Sequence, residues 1–100
     1  MLSLGSITKI QDYAFFGCTS LQSVNLPSTL ITLGDSTFNG CSNLTTINLP
    51  ETLTTIDYKA FSDCTSLTTI NLPESVTTIN GHAFSNCTSL VIDELYLPNL

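Results

Sequence analysis

The apolar positions of this chain keep a long rhythm that belongs to neither a single helix nor a single strand. Phe15, Phe38, Phe61 and Phe84 stand 23 residues apart; Cys18, Cys41, Cys64 and Cys87 keep the same interval, as do Leu21, Leu44, Leu67 and Leu90. Behind them run Val24, Ile47 and Ile70, then Leu26, Leu49 and Leu72, then Pro27, Pro50 and Pro73. A second apolar pair closes each unit: Leu30, Leu53 and Val76, then Leu33, Ile56 and Ile79, with Ile7 and Ile10 as the matching pair of an incomplete first unit. Fixed self-similarity at such a period is the signature of a stacked repeat. Each unit has one inward-facing apolar set that it cannot bury alone. The coils must therefore stack at the strand spacing of about 4.8 Å, which forms parallel sheets and continuous internal columns of Leu, Ile, Phe and Cys.

Within one unit, Ile47 and Leu49 lie two apart, so both face one side of a strand while Asn48 faces the other. Pro50 lacks a backbone donor and ends that strand. Leu53-Thr54-Thr55-Ile56 is short and β-branched and predicts a second, smaller strand on the opposite side of the coil. Ala60, Phe61 and Cys64 have a spacing that suits one turn of 3₁₀ or α-helix. Two sets of residues tolerate a left-handed backbone: Gly34, Asp57 and Asn80 after the second strand, and Gly17, Gly40, Asp63 and Asn86 after the Phe.

These residues resemble the BspA-like class of leucine-rich repeats, whose unit reads L-x-x-I-x-L-P, then I-x-x-x-A-F, then C-x-x-L. The resemblance runs from Ile7 to Leu90. It implies a right-handed β-rich solenoid with a parallel concave sheet, a second short strand and a single 3₁₀ or helical turn per repeat. The chain departs from the pattern at Thr37, which stands in place of Ala, and over Leu90 to Pro98, where two extra residues precede the strand and suggest a bulge or a terminal unit. Other leucine-rich repeats tie coil to coil with an Asn after the strand; here Thr29, Thr52 and Ser75 stand nearby with hydroxyls suited to the same task. The resemblance further implies adhesion and protein recognition at a cell surface or outside the cell.

Composition narrows the function. Charged residues are 10% of the chain against 42% apolar, so hydroxyls and amides must keep the surface wet. Lys9 and Lys59 are the only basic residues besides His82, and the net charge is -6. Nucleic acid needs a basic patch to release counterions and is an unsuitable partner; anionic membranes are disfavoured for the same reason. No apolar stretch approaches the roughly 18 residues of a membrane span, and residues 1–10 lack the basic start and apolar centre of a secretory signal.

The cysteines, 23 apart, have no zinc spacing. Stacked coils bring their Cα atoms into the disulfide window, while parallel Cβ directions oppose a bridge. The leading reading is four buried free thiols acting as small hydrophobes. His82 shares its column with Tyr13, Ser36 and Lys59, a variability that marks a solvent position. Neither a catalytic set nor a cofactor or metal site is expected. Asn43-Leu44-Thr45 and Asn86-Cys87-Thr88 form glycosylation triplets, which a Thr- and Asn-rich chain produces easily.

The candidate ligand-binding surface is the outward side of the concave strands: Gln22, Ser23 and Asn25; Thr45, Thr46 and Asn48; Thr68, Thr69 and Asn71. Its competing reading is a solvated strand face whose amides ladder between coils. Four coils by one six-residue strand give on the order of 400 Å², against about 800 Å² per partner in a standard protein interface. The expectation is one domain over residues 1–100, about four 23-residue repeats, belonging to a longer array or to a weak multivalent binder of protein or glycan. A homo-oligomer assembling through uncapped solenoid ends is the runner-up.

Overall fold

The computed structural model describes residues 2, 3 and 5–91. The 23-residue interval is a spatial one: the rings of Phe15, Phe38, Phe61 and Phe84 form a continuous stack, with centroids 5.3, 5.4 and 5.5 Å apart and planes within 8° of parallel. Two parallel sheets run down the solenoid. Strands β1 (Leu2–Ser3), β3 (Ser23–Asn25) and β5 (Thr46–Ile47) form the first, continued by a bridge from Asn48 to Asn71. Strands β2 (Lys9–Ile10), β4 (Thr32–Leu33), β6 (Thr55–Ile56) and β7 (Thr78–Ile79) form the second. Register in both follows the repeat, with Val24 opposite Ile47, and Thr32 opposite Thr55, which is opposite Thr78.

The alternation expected around Ile47 holds, although the regular strands are shorter than expected, Thr46–Ile47 and Thr55–Ile56. The Ile70 segment joins the first sheet only through the Asn48 to Asn71 bridge. Ile47 and Leu49 are buried and Asn48 is exposed, the alternation a pleated strand imposes. Phe38, Cys41, Leu44, Leu53, Ile56, Phe61, Cys64 and Leu67 have no exposed surface and form the centre of one core. No helix among the described residues is long and apolar enough to cross a membrane.

The expected helical turn is replaced by something more useful to a stack. Along residues 13–18 the N–H groups alternate: Ala14, Phe16 and Cys18 donate three residues back, to Gln11, Tyr13 and Phe15, while Tyr13, Phe15 and Gly17 donate to Asp35, Thr37 and Asn39 of the next coil. The same alternation recurs at residues 36–41 and 59–64. Every second donor is committed between coils, so a continuous 3₁₀ helix cannot form; the segment is a chain of tight turns that adds a third ladder to the two sheets.

That ladder fixes the left-handed residues. Gly17, Gly40, Asp63 and Asn86 have φ of 70, 81, 61 and 61°, as their residue types suggested. The other left-handed column is Tyr13, Ser36, Lys59 and His82, at φ 62, 55, 55 and 60°, and not Gly34, Asp57 and Asn80. Gly34 is needed for room instead: a Cβ there would lie 2.8 Å from the Ile10 carbonyl oxygen and 2.9 Å from Asp12 N. The Tyr13 column is not uniformly solvent either, since Ser36 is buried and its hydroxyl donates to Asp35 Oδ1. Thr37, the exception in an Ala column, is fully buried with its hydroxyl donating to the Gly34 carbonyl at 2.6 Å, which satisfies the polar atom it introduces.

Thr29 and Thr52 do tie the coils together, each hydroxyl donating 2.7 Å to a carbonyl of the preceding coil, Ile7 and Leu30. Ser75 breaks the series, because its buried hydroxyl has no partner among the described residues. Most of the Leu90 to Pro98 insertion lies outside the described residues.

Candidate interaction surface

All nine candidate residues fall on the outward side of the first sheet or on the approach to its strands. Ser23 pairs with Thr46, and Asn48 with Asn71, so the columns Ser23, Thr46, Thr69 and Asn25, Asn48, Asn71 follow the repeat down the sheet. Eight of the nine are exposed and Ser23 is half-buried. None carries a charge, so the face has no long-range pull on an ionic ligand and offers donors and acceptors only.

Hydrogen bonding divides the set. The hydroxyls of Thr45 and Thr68 donate to the carbonyls of Gln22 and Thr45, one coil back. The Asn71 amide is doubly used: it donates to the Leu49 carbonyl at 3.1 Å and accepts from Leu49 N at 3.0 Å, standing in for a strand that would otherwise continue the sheet. These three residues are ties between coils, as the solvated-ladder reading anticipated. The other six, Gln22, Ser23, Asn25, Thr46, Asn48 and Thr69, make no side-chain hydrogen bond to the described residues.

Sequence reasoning passed over two other surfaces. On the second sheet Thr54, Thr55, Thr77 and Thr78 repeat the same dipeptide, but Thr54 and Thr77 donate to the carbonyls of Ile31 and Thr54, and Thr55 lies 3.4 Å from the Thr54 hydroxyl. At the turn edge Tyr58 meets His82 edge-on at 5.9 Å, with Lys59 Nζ 5.2 Å from the Tyr58 ring centre. The signal for this corner was Gly81 in the Tyr58 column: without a side chain there, the Tyr58 ring settles within 3.7 Å of where a Cβ would be. Tyr13 and Phe16 form a similar exposed pair at 5.6 Å.

All four cysteines are free, with Cys41 and Cys64 buried. The thiols of Cys41, Cys64 and Cys87 donate to the carbonyls of Phe15, Phe38 and Phe61, one coil back, at 3.2, 3.2 and 3.0 Å. Burial, with the neighbouring Cys18, pushes the Cys41 thiol up to about 11. Contact with the Cys87 thiol, together with burial, raises that of Cys64. A thiol held neutral is a poor nucleophile and a poor metal ligand. Among the described residues no three His, Cys, Asp or Glu side chains gather into a metal-binding group.

The pattern describing a BspA type leucine-rich repeat region matches residues 3–99, in 6 copies. Solved structures agree with it. A leucine-rich repeat protein of T. pallidum is 41% identical over 85% of this chain, with a TM-score of 0.83. One from Bacteroides ovatus is 34% identical over 82%, TM-score 0.81, and a leucine rich cell surface protein from Faecalibacterium prausnitzii is 30% identical over 90%, TM-score 0.85. This chain spans 40%, 21% and 24% of those three chains. No curated protein matches it.

Proposed function

Because the chain belongs to the BspA-type leucine-rich repeat family, we propose that it is a non-catalytic recognition module that binds protein or glycan through the outward face of the first sheet, where Gln22, Ser23, Asn25, Thr46, Asn48 and Thr69 are the side chains left free for a ligand. The observation that carries this reading is the division of the Thr and Asn array. Thr45, Thr68 and Asn71 hold the coils together, whereas the other six side chains are uncharged and unengaged by the described residues, and all of them but Ser23 are exposed. An uncharged face of hydroxyls and amides suits hydrogen-bonded recognition of neutral, polar ligands. Its area, on the order of 400 Å², gives weak binding per copy, so tight binding takes further coils or several copies at once. The F. prausnitzii neighbour is described as a cell surface protein, and surface adhesion is the setting proposed for this chain on that likeness.

The test starts from a binder selected on a glycan array or from a displayed peptide library. Replacing Thr46, Asn48 and Thr69 together with Lys is expected to weaken that binder by more than about tenfold, the effect of one well-placed contact. Lys at Thr54 and Thr77, on the second sheet, is expected to leave it within about twofold. The opposite pattern moves the binding face to the second sheet.

A further inference from the structure

Two Asn-Gly pairs occur in the chain, Asn39-Gly40 and Asn80-Gly81. Glycine leaves the backbone nitrogen after the asparagine unshielded by a β-carbon, and asparagine is a thermolabile residue where that nitrogen reaches its side-chain carbon. The fold treats the two pairs oppositely. Gly40 has φ 81° and its N–H donates to the Ser62 carbonyl at 2.8 Å, while Asn39 is half-buried with its amide 3.4 Å from Ser36 Oγ. Asn80 and Gly81 are both exposed, and the Gly81 N–H donates to none of the described residues.

We propose that Asn80 is a site of spontaneous deamidation and that the inter-coil hydrogen bond of Gly40 protects Asn39 from the same reaction. Hydroxide removes the Gly81 N–H proton, and the nitrogen attacks Asn80 Cγ. The N–Cγ bond forms as the Cγ–Nδ2 bond breaks, ammonia leaves with a proton from water, and a cyclic imide remains. Water then opens the ring at either carbonyl to give aspartate or isoaspartate. One water is consumed, one ammonia is released and the chain gains one negative charge. At Asn39 the same attack must first break the Gly40 hydrogen bond, because the deprotonated nitrogen would face the Ser62 carbonyl oxygen.

The product acts on the stack. Asn80 Nδ2 donates to Asp57 Oδ1 across the coil boundary at 2.9 Å; after conversion two carboxylates face each other there. An isoaspartyl link also lengthens the backbone between the ladder bonds Asn80 N to Ile56 O and Lys59 N to Gly81 O. Both changes loosen the last described coil from its neighbour, so ageing of the protein is written at the Asn80 position first.

Peptide mapping by mass spectrometry after incubation in mildly alkaline buffer tests this. The peptide holding Asn80 is expected to convert roughly tenfold faster than the one holding Asn39, the change one retained hydrogen bond makes to a rate. In denaturant the two are expected to convert alike. Equal rates in native buffer, or faster conversion at Asn39, overturn the proposal. So does a difference that persists unchanged in denaturant, because neighbouring sequence and not the fold would then be its cause.

Discussion

Phe61 and Phe84 are the same residue at the same place in consecutive coils, yet one is fully buried and the other only half-buried. Phe38 and Phe15 repeat the contrast, and so do Cys64 against Cys87 and Leu67 against Leu90. Nothing within a unit accounts for this. Phe61 has a stacked ring on each side, at 5.4 and 5.5 Å, whereas among the described residues Phe84 stacks on Phe61 alone. In a solenoid a residue's energy is a nearest-neighbour quantity, set by how many coils flank it more than by its own coil.

The largest expected effect follows directly. Phe61→Ala should destabilise the chain by about 4 kcal/mol and Phe84→Ala by about 2 kcal/mol, read by denaturant unfolding, since the cost of a deleted aromatic scales with the buried volume it leaves empty. Equal losses would mean that the two positions are equally enclosed and would break the comparison.

Glycines sharpen it next. Gly34→Ala pushes a methyl against Ile10 and Asp12 of the preceding coil and should cost about 2 kcal/mol by overpacking. Gly81→Ala meets only the Tyr58 ring, at an ordinary 3.7 Å. It should be neutral or slightly stabilising, by about 0.5 kcal/mol, because it restricts the unfolded chain. Thermal melts of the two variants are expected to move in opposite directions or to differ by several degrees.

Much of this was legible from the interval alone. The Phe stack, the parallel register and the burial of Ile47 and Leu49 follow once residues 23 apart are placed over one another, because identical side chains stack without voids. The turn was not legible, and the reason is physical. Ala60, Phe61 and Cys64 have helical spacing, but periodicity reports which side chains point inward and not where the N–H groups go. The left-handed column of Tyr13, Ser36, Lys59 and His82 was hidden because Tyr, Ser and Lys carry no such preference and His82 alone does not mark a column; the inter-coil ladder imposes the conformation. The candidate surface was legible as a face. Its division into ties and open groups depends on hydroxyl and amide directions that no column reveals: Asn48 and Asn71 are the same residue in register, and only Asn71 is bonded to Leu49.

Thr37 and the thiols supply middle-sized tests. Thr37→Val keeps the shape and removes the donor to the Gly34 carbonyl, at an expected cost of about 1–2 kcal/mol, whereas Thr37→Ala restores the column residue and should cost less. For Cys41 the folded thiol titrates near 11 against an ordinary 9.0, so the native state holds its proton where the unfolded chain has lost it. Stability is therefore unaffected by this group below pH 9 and falls as pH rises from 9 toward 11. Unfolding free energies of wild type and Cys41→Ala, measured across that range, should diverge in slope.

The smallest effect lies at the surface, where inner and outer coils meet through Asp57 and Asn80. The Asn80 amide, followed by the Tyr58 N–H, holds the Asp57 carboxyl below its ordinary 3.8. A depressed carboxyl contributes stability that is present above the ordinary value and lost as pH falls through the folded one. Asp57 is solvated, so the contribution is slight and is best read by nuclear magnetic resonance titration of its side chain in place of unfolding. Asn80→Ala should raise the Asp57 pKa toward 3.8 without restoring it fully, because the Tyr58 N–H still donates at 2.7 Å. No movement would show that the tie between these coils rests on backbone ladders alone.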